Sequence, residues 1–356
     1  MSYAKEKKIL IILCFTIFIV LWILYEFFVG SLRKYEYKTD LTSTNTTPSI
    51  YYTKEELMND LEENYPYFAE YLNNNKTTEM YIIPGMTMTK SLSIKTNKKI
   101  NCTSMTPQGL AVTEKYIFIS AYCYTHKHNS VLYVLDRISG KFIKEVVLDS
   151  SSHVGGLAFD NNHNKLWIAE YKNSKSYVGS LNLNDIEKYD IKENRKIKYT
   201  DFVLLKDIKR ASFITYNDNS LLVGYFNLFK NGYFKTFDIN EKGTISKKAS
   251  ITRKIDKKIQ GMAYDNNILY LSQSFSSSNS KLIIFDKVLD IKNNNNYYYE
   301  DKAKYSISLP EKLEQIYVYK DRLYMLFESS AFSYKFTSNN HIDRVISFSL
   351  SGKEGK

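Results

Sequence analysis

The sequence predicts an all-β fold of five repeated sheets, and three observations carry that expectation. First, one phrase recurs: "TPQGLAV" at 106–112, "SHVGGLAF" at 152–159 and "KIQGMAY" at 258–264, each leading into an apolar run. Second, each phrase opens a strand, a tight polar turn and a second strand. The same plan is read at 108–122, 155–171, 211–226, 260–275 and 314–329. The second residues of these segments, Gly109, Gly156, Ser212, Gly261 and Gln315, recur at steps of 47 to 56 residues. Third, the chain holds 31 Tyr and 20 Phe with few Gly and Pro, which suits half-buried pleated surfaces. Units of this length with four short strands each mark a β-propeller. Small residues at the repeated position fit innermost strands, which converge around a central channel.

The elements that precede the repeats are read in order. Residues 1–8 are a short basic N-terminus. "ILIILCFTIFIVLWILY" follows, then Glu26 and "FFVG". This predicts a transmembrane signal anchor over 9–29, just long enough to span a bilayer, with Trp22 and Tyr25 as interfacial aromatics. A cleaved signal peptide would need small residues at a cleavage site, and only Gly30 and Ser31 are offered. The anchor is therefore expected to stay, with residues 1–8 cytoplasmic and the rest of the chain extracytoplasmic, as a single-pass protein of the cell membrane.

Residues 30–52 are polar and Thr-rich and read as a stalk. Residues 53–75 read as a short juxtamembrane helical segment. Thr53 and Glu56 make a capping-box pattern, and Pro66 should break the helix near Tyr65. Its apolar face, Leu57, Leu61, Tyr65, Phe68 and Leu72, is expected to pack on the main domain. The propeller is assigned to 79–350 and a tail to 351–356.

Within the propeller, "SVLYVLDRISGKFIKEVVL" supplies a third and a fourth strand to the first unit. The fifth unit has three strands of its own (314–319, 322–328 and 344–350), so its fourth must come from elsewhere. "SLSIK" at 91–95 is the expected donor, closing the ring and removing sheet edges. Five blades are expected, or six if "EMYIIPG" (79–85) belongs to a further blade.

Loops before the first strand and after the second strand of each blade emerge on one face, around the channel mouth. On that face the sequence places Gln108, His153, Arg210, Lys258 and Gln260, donors that suit an anionic or polyhydroxyl ligand. Glu170 and Glu328 are carboxylates expected beside them. His126, His128 and His153 fall in neighbouring loops and make a candidate divalent-metal site, with His153 the best placed. Cys102 and Cys123 flank the first hairpin, and outside the cytoplasm a disulfide between them is expected, with two free thiols or a metal pair as the rival readings.

The formal charge of +11 invites an anionic partner such as a cell-wall polymer. Interspersed acids and the absence of an Arg-rich groove argue against nucleic acid. Asn, Lys, Ile and Tyr are abundant together, as an AT-rich genome produces. There is no nucleophile elbow, Walker loop, dinucleotide fingerprint or Cys-x-x-Cys.

The phrases "PQGLAV" (107–112), "HVGGLAF" with "NKLWIAEY" (153–171) and "VLYVLDRISGKFIKEVVL" (131–148) resemble the broad superfamily of YncE-like, NHL and SMP-30-type propellers. The resemblance covers roughly 100–350. It implies the propeller fold and, in different relatives, a metal-dependent lactonase or a binding protein. The lactonase pattern of metal-binding Glu and Asn is not matched here. The expected function is thus a membrane-anchored binding or scaffold module for a cell-surface ligand or protein, with no cofactor. The alternative is a metal-dependent hydrolase or lactonase at the channel mouth.

Overall fold

The computed structural model describes residues 2–33, 50–294 and 296–351, and within the first helix the side chains of residues 10–25. Of the expected stalk over 30–52, residues 30–33 belong to the first helix and residues 34–49 lie outside the described residues, as does the tail beyond residue 351.

The chain divides into two units, residues 1–40 and 41–356. The first contains helix α1 (Ser2–Arg33). Its described apolar side chains, from Leu10 to Tyr25, are all exposed. Among the described residues no helix is long and apolar enough to cross a membrane. Residues 10–25 are shorter than the roughly 20 that a bilayer requires, so the expected span over 9–29 is not shown by the described part of α1.

The second unit begins with two short helices. α2 (Lys54–Asn64) starts with a complete capping box between Thr53 and Glu56. α3 (Pro66–Asn74) has Pro66 in its first turn, where a missing N–H costs nothing. Tyr65 separates them. Leu57, Met58, Leu61, Phe68, Ala69 and Leu72 are buried in a cluster with Leu313, Phe327 and Ile346 from the last blade. Tyr65 also donates a hydrogen bond to Glu311 at 2.7 Å.

Strand β1 (Glu79–Ile82) comes next, then a hairpin of β2 (Thr89–Leu92) and β3 (Lys99–Cys102). Four consecutive sheets follow. The first blade is β4 (Met105–Val112), β5 (Tyr116–Cys123), β6 (Val131–Asp136) and β7 (Phe142–Val147). The second is β8 (Leu157–Asp160), β9 (Lys165–Lys172), β10 (Lys175–Asn182) and β11 (Asp201–Leu204), with helix α4 (Leu183–Lys188) in the last connection. The third is β12 (Ala211–Asn217), β13 (Ser220–Tyr225), β14 (Gly232–Asp238) and β15 (Thr252–Ile255). The fourth is β16 (Ile259–Asp265), β17 (Ile268–Gln273), β18 (Ser280–Phe285) and β19 (Tyr305–Leu309). The fifth is β20 (Leu313–Tyr319), β21 (Arg322–Phe327) and β22 (Arg344–Ser349), completed by β1. Among the described residues this makes a five-bladed β-propeller.

The ring closes differently from the sequence expectation. β1 pairs antiparallel with β22, from Glu79 opposite Ser347 to Ile82 opposite Arg344. The "SLSIK" segment instead makes β2, paired with β3 in a local hairpin. Two physical reasons favour this. α2 and α3 dock on the fifth blade, so residue 79 arrives beside β22 first. A local hairpin also costs less loop entropy than a strand recruited across the ring. "EMYI" is therefore the closing strand and not part of a sixth blade.

The innermost strands β4, β8, β12, β16 and β20 adjoin one another around the axis. Their small residues are needed there. A Cβ on Gly156 would lie 2.7 Å from Ile214 N and 2.8 Å from Phe213 Cα; on Gly261 it would meet Glu314 O at 2.8 Å. In both cases the obstacle is the backbone of the next blade.

Candidate functional site

Bulges in the inner strands build the site. Register shifts on the inner strand fall between Pro107 and Gly109, Ala211 and Phe213, Ile259 and Gly261, and Leu313 and Ile316. A bulge inserts a residue and re-aims its side chain. The inserted residues Gln108, Ser212, Gln260 and Glu314 all face one cavity at the channel mouth, of about 450 Å³. Gly155 of the second blade and Ala211 of the third line it as well.

Next to Glu314 in sequence, the buried Gln315 ties the inner strands together. The Gln315 amide oxygen accepts from Leu110 N at 2.7 Å and Leu157 N at 2.9 Å. Its nitrogen donates to Leu157 O at 2.7 Å. One fully buried side chain on the fifth blade thus bonds the inner strands of the first and second.

The same cavity holds an acidic pair. Glu314 and Glu328 are buried and hydrogen-bonded to each other, and Gln108 Nε2 donates to Glu328 Oε2 at 2.7 Å. Burial raises the pKa of Glu328 to about 7, against the opposing effect of its hydrogen bonds and of Lys312. Burial and the Glu328 charge push Glu314 well above the usual carboxylate range. Two like charges this close do not both ionise at neutral pH, so the pair holds a proton. Lys312 is buried with Nζ 4.4 Å from the centre of the Tyr334 ring, and burial lowers its pKa.

The rim is cationic and aromatic. Arg210 is exposed and stacks over Tyr171 at 5.1 Å. His153 is open to solvent on one side and stacks on Tyr122 at 4.1 Å with 18° between rings. Desolvation by its neighbours, then the charges of Arg210 and His126, lower the pKa of His153, which keeps it neutral at pH 7.

The sequence-predicted residues divide accordingly. Gln108, His153, Arg210, Gln260 and Glu328 line the cavity together. Glu170 and Lys258 are not among its lining residues. Glu170 is buried and accepts from Ser150 Oγ at 2.7 Å and from the hydroxyls of Ser152 and Tyr199. Lys258 sits at φ +65° with Nζ 5.0 Å from the centre of the Phe275 ring. His126 and His153 have ring centroids 6.5 Å apart at the rim, but His128 is buried and turned to Cys123, with Nδ1 3.2 Å from its sulfur. The three histidines do not converge on one point. The disulfide expected between Cys102 and Cys123 is not formed; both are free and buried. Cys102 ends β3 of the extra hairpin, so the two cysteines do not face each other across one ladder.

Sequence reasoning misses Glu314, Tyr171 and Tyr334. For Glu314 a signal is present: it holds the position in its repeat that Gln108 and Gln260 hold in theirs.

No protein-family model matches the chain, and no curated protein matches it. Among solved structures it is similar to a nidogen/laminin complex at 11% identity and TM-score 0.39, covering 78% of this chain and 92% of that one. It is similar to the Kuenenia stuttgartiensis hydrazine synthase at 14% identity and TM-score 0.34, covering 62% and 55%. It is also similar to the Dos1 propeller at 12% identity and TM-score 0.35, covering 68% and 58%. The chain spans a little over half the length of the last two. These likenesses carry no functional argument, and the blade count rests on this chain's own strand pairing.

Proposed function

We propose that this propeller is a binding module whose ligand sits in the channel mouth, held at the cell membrane by the apolar N-terminal segment. The observation that carries the reading is the convergence of Gln108, His153, Arg210, Gln260, Glu314 and Glu328, from different blades, on one cavity of about 450 Å³. The rim offers the Arg210 guanidinium to an anion and aromatic faces to a ring. The cavity also offers Gln108, Gln260 and a carboxyl pair that holds a proton to hydroxyl groups. An acidic, polyhydroxyl ligand, such as a carboxylate- or phosphate-bearing glycan of the cell surface, fits both. This reading keeps the likeness to the NHL and SMP-30-type propellers at the level of a binding fold.

Anchoring over 9–29 is supported by the sequence beyond the described side chains and by the exposed, largely apolar surface of residues 10–25. An apolar surface of that extent calls for cover. The propeller then lies on the extracytoplasmic side.

The test is a binding titration of the full chain in detergent against oligosaccharides with and without a carboxylate or phosphate. Saturable binding of the acidic members, weakened at least tenfold by Arg210→Ala, is the expected result. Equal binding of neutral and acidic members would remove the reading.

A further inference from the structure

We propose that Cys102, Cys123 and His128 form a thiophilic metal site, suited to Zn²⁺, that pins the β2–β3 hairpin to the first blade. Their ligand atoms all lie within 4.8 Å of one another, and all three residues are buried. A tetrahedral zinc, with sulfur at about 2.3 Å and nitrogen at about 2.0 Å, has ligand-to-ligand edges on the order of 3.5–4 Å. Small side-chain adjustments therefore reach that geometry. His128 already directs Nδ1 at the Cys123 sulfur, 3.2 Å away. Ser104 Oγ stands 3.7 Å from each sulfur, over the pair, where it or a water can take the fourth position.

The ligands come from three places that the chain must hold together. Cys102 ends β3, Cys123 ends β5, and His128 lies in the loop after β5. Neighbouring backbone is already stitched across the same junction: Asn129 N donates to Leu92 O at 2.9 Å and Ser91 Oγ donates to Asn129 O at 2.7 Å. The donor set is two sulfurs and one imidazole, with no carboxylate in the group. That selects zinc or cuprous ion over magnesium or calcium. Binding of Zn²⁺ converts two thiols to thiolates and releases two protons to solvent, leaving a buried site without net charge. The adjoining turn, 124–127, is exposed and gives the ion a path in. The site is separate from the channel mouth, because His128 does not line that cavity while His126 does.

The experiment uses the full chain without a histidine tag, purified in detergent with reductant, stripped with a chelator and titrated with Co²⁺ and then Zn²⁺. One Co²⁺ per chain is expected, with thiolate-to-cobalt charge transfer and tetrahedral visible bands that Zn²⁺ abolishes. His128→Ala should weaken Co²⁺ binding at least tenfold with both thiols still reduced. Absence of the charge-transfer band in the reduced native chain overturns the proposal. So does unchanged affinity in His128→Ala, or a chain isolated with Cys102 and Cys123 oxidised to each other. The band is read on the native chain, so the test does not depend on whether a cysteine variant folds.

Discussion

The Gln315 side chain and the Leu157 backbone form a reciprocal pair across the propeller axis: Leu157 N donates to the Gln315 amide oxygen and the Gln315 amide nitrogen donates back to Leu157 O. This copies a β-bridge with a side chain in place of a strand. The same amide oxygen also accepts from Leu110 N, so one side chain satisfies two buried donors that the ring's curvature leaves without a ladder partner.

Gln315→Leu is therefore expected to destabilise the propeller. It keeps much of the side-chain volume but strands the N–H groups of Leu110 and Leu157, at about 1–3 kcal/mol each. Urea unfolding should show a midpoint well below that of the native chain. An unchanged midpoint would mean that water replaces the amide and the channel is open.

Gly156→Ala tests convergence of the inner strands. The added methyl meets backbone of the third blade, which cannot rotate away as a side chain could. A loss on the order of 1–3 kcal/mol is expected, read as a lowered thermal midpoint.

The carboxyl pair sets a pH dependence. Glu328 titrates near 7 in the folded protein, and Glu314 lies above the carboxylate range as well. The folded state thus binds more protons than the unfolded state from about pH 4.5 up through 7, where Glu328 titrates, and above it, where Glu314 does. Stability contributed by the pair is fully present below that window and is lost as pH rises through it. Glu314→Gln removes the repulsion, so its thermal midpoint should exceed the native one at pH 8 by a few degrees and match it more closely at pH 5. Binding of an anion in the cavity should weaken over the same rise in pH, as Glu328 ionises within it.

Residues of the rim and residues off it should separate. Arg210→Ala is expected to weaken an acidic ligand at least tenfold, whereas Lys258→Ala should leave affinity within twofold, because its ammonium lies over Phe275. Glu170→Gln should change stability more than binding, since its carboxylate is taken up by Ser150, Ser152 and Tyr199. Calorimetric titration of the three variants reads all of this.

The repeats are legible because propeller blades reuse one solution. Gly156 and Gly261 announce the converging strands, and Gln108 and Gln260 announce a polar ring. Glu314 stands at the same position but is hidden, since its segment, "EQIYVY", has neither the glycine nor the alanine of the others. Two other failures share a cause. "SLSIK" and "EMYI" are equally good strands by pattern, and only the docking of α2 and α3 on the fifth blade decides which one closes the ring. Cys102 and Cys123 read as flanking one hairpin because pattern alone does not reveal the extra β2–β3 hairpin. Glu170 and Lys258 occupy top-face positions by count, but alternation and a left-handed backbone turn them from the cavity.

Ligand capture at the channel mouth is the central claim, and one measurement tests it most directly. A carboxylate-bearing oligosaccharide is titrated calorimetrically into the full chain and its Arg210→Ala variant at pH 6 and pH 8. Saturable binding at pH 6 is expected, weaker at pH 8 and at least tenfold weaker in the variant. Binding that is indifferent to Arg210 and to pH would contradict capture at the mouth and place the ligand elsewhere on the molecule.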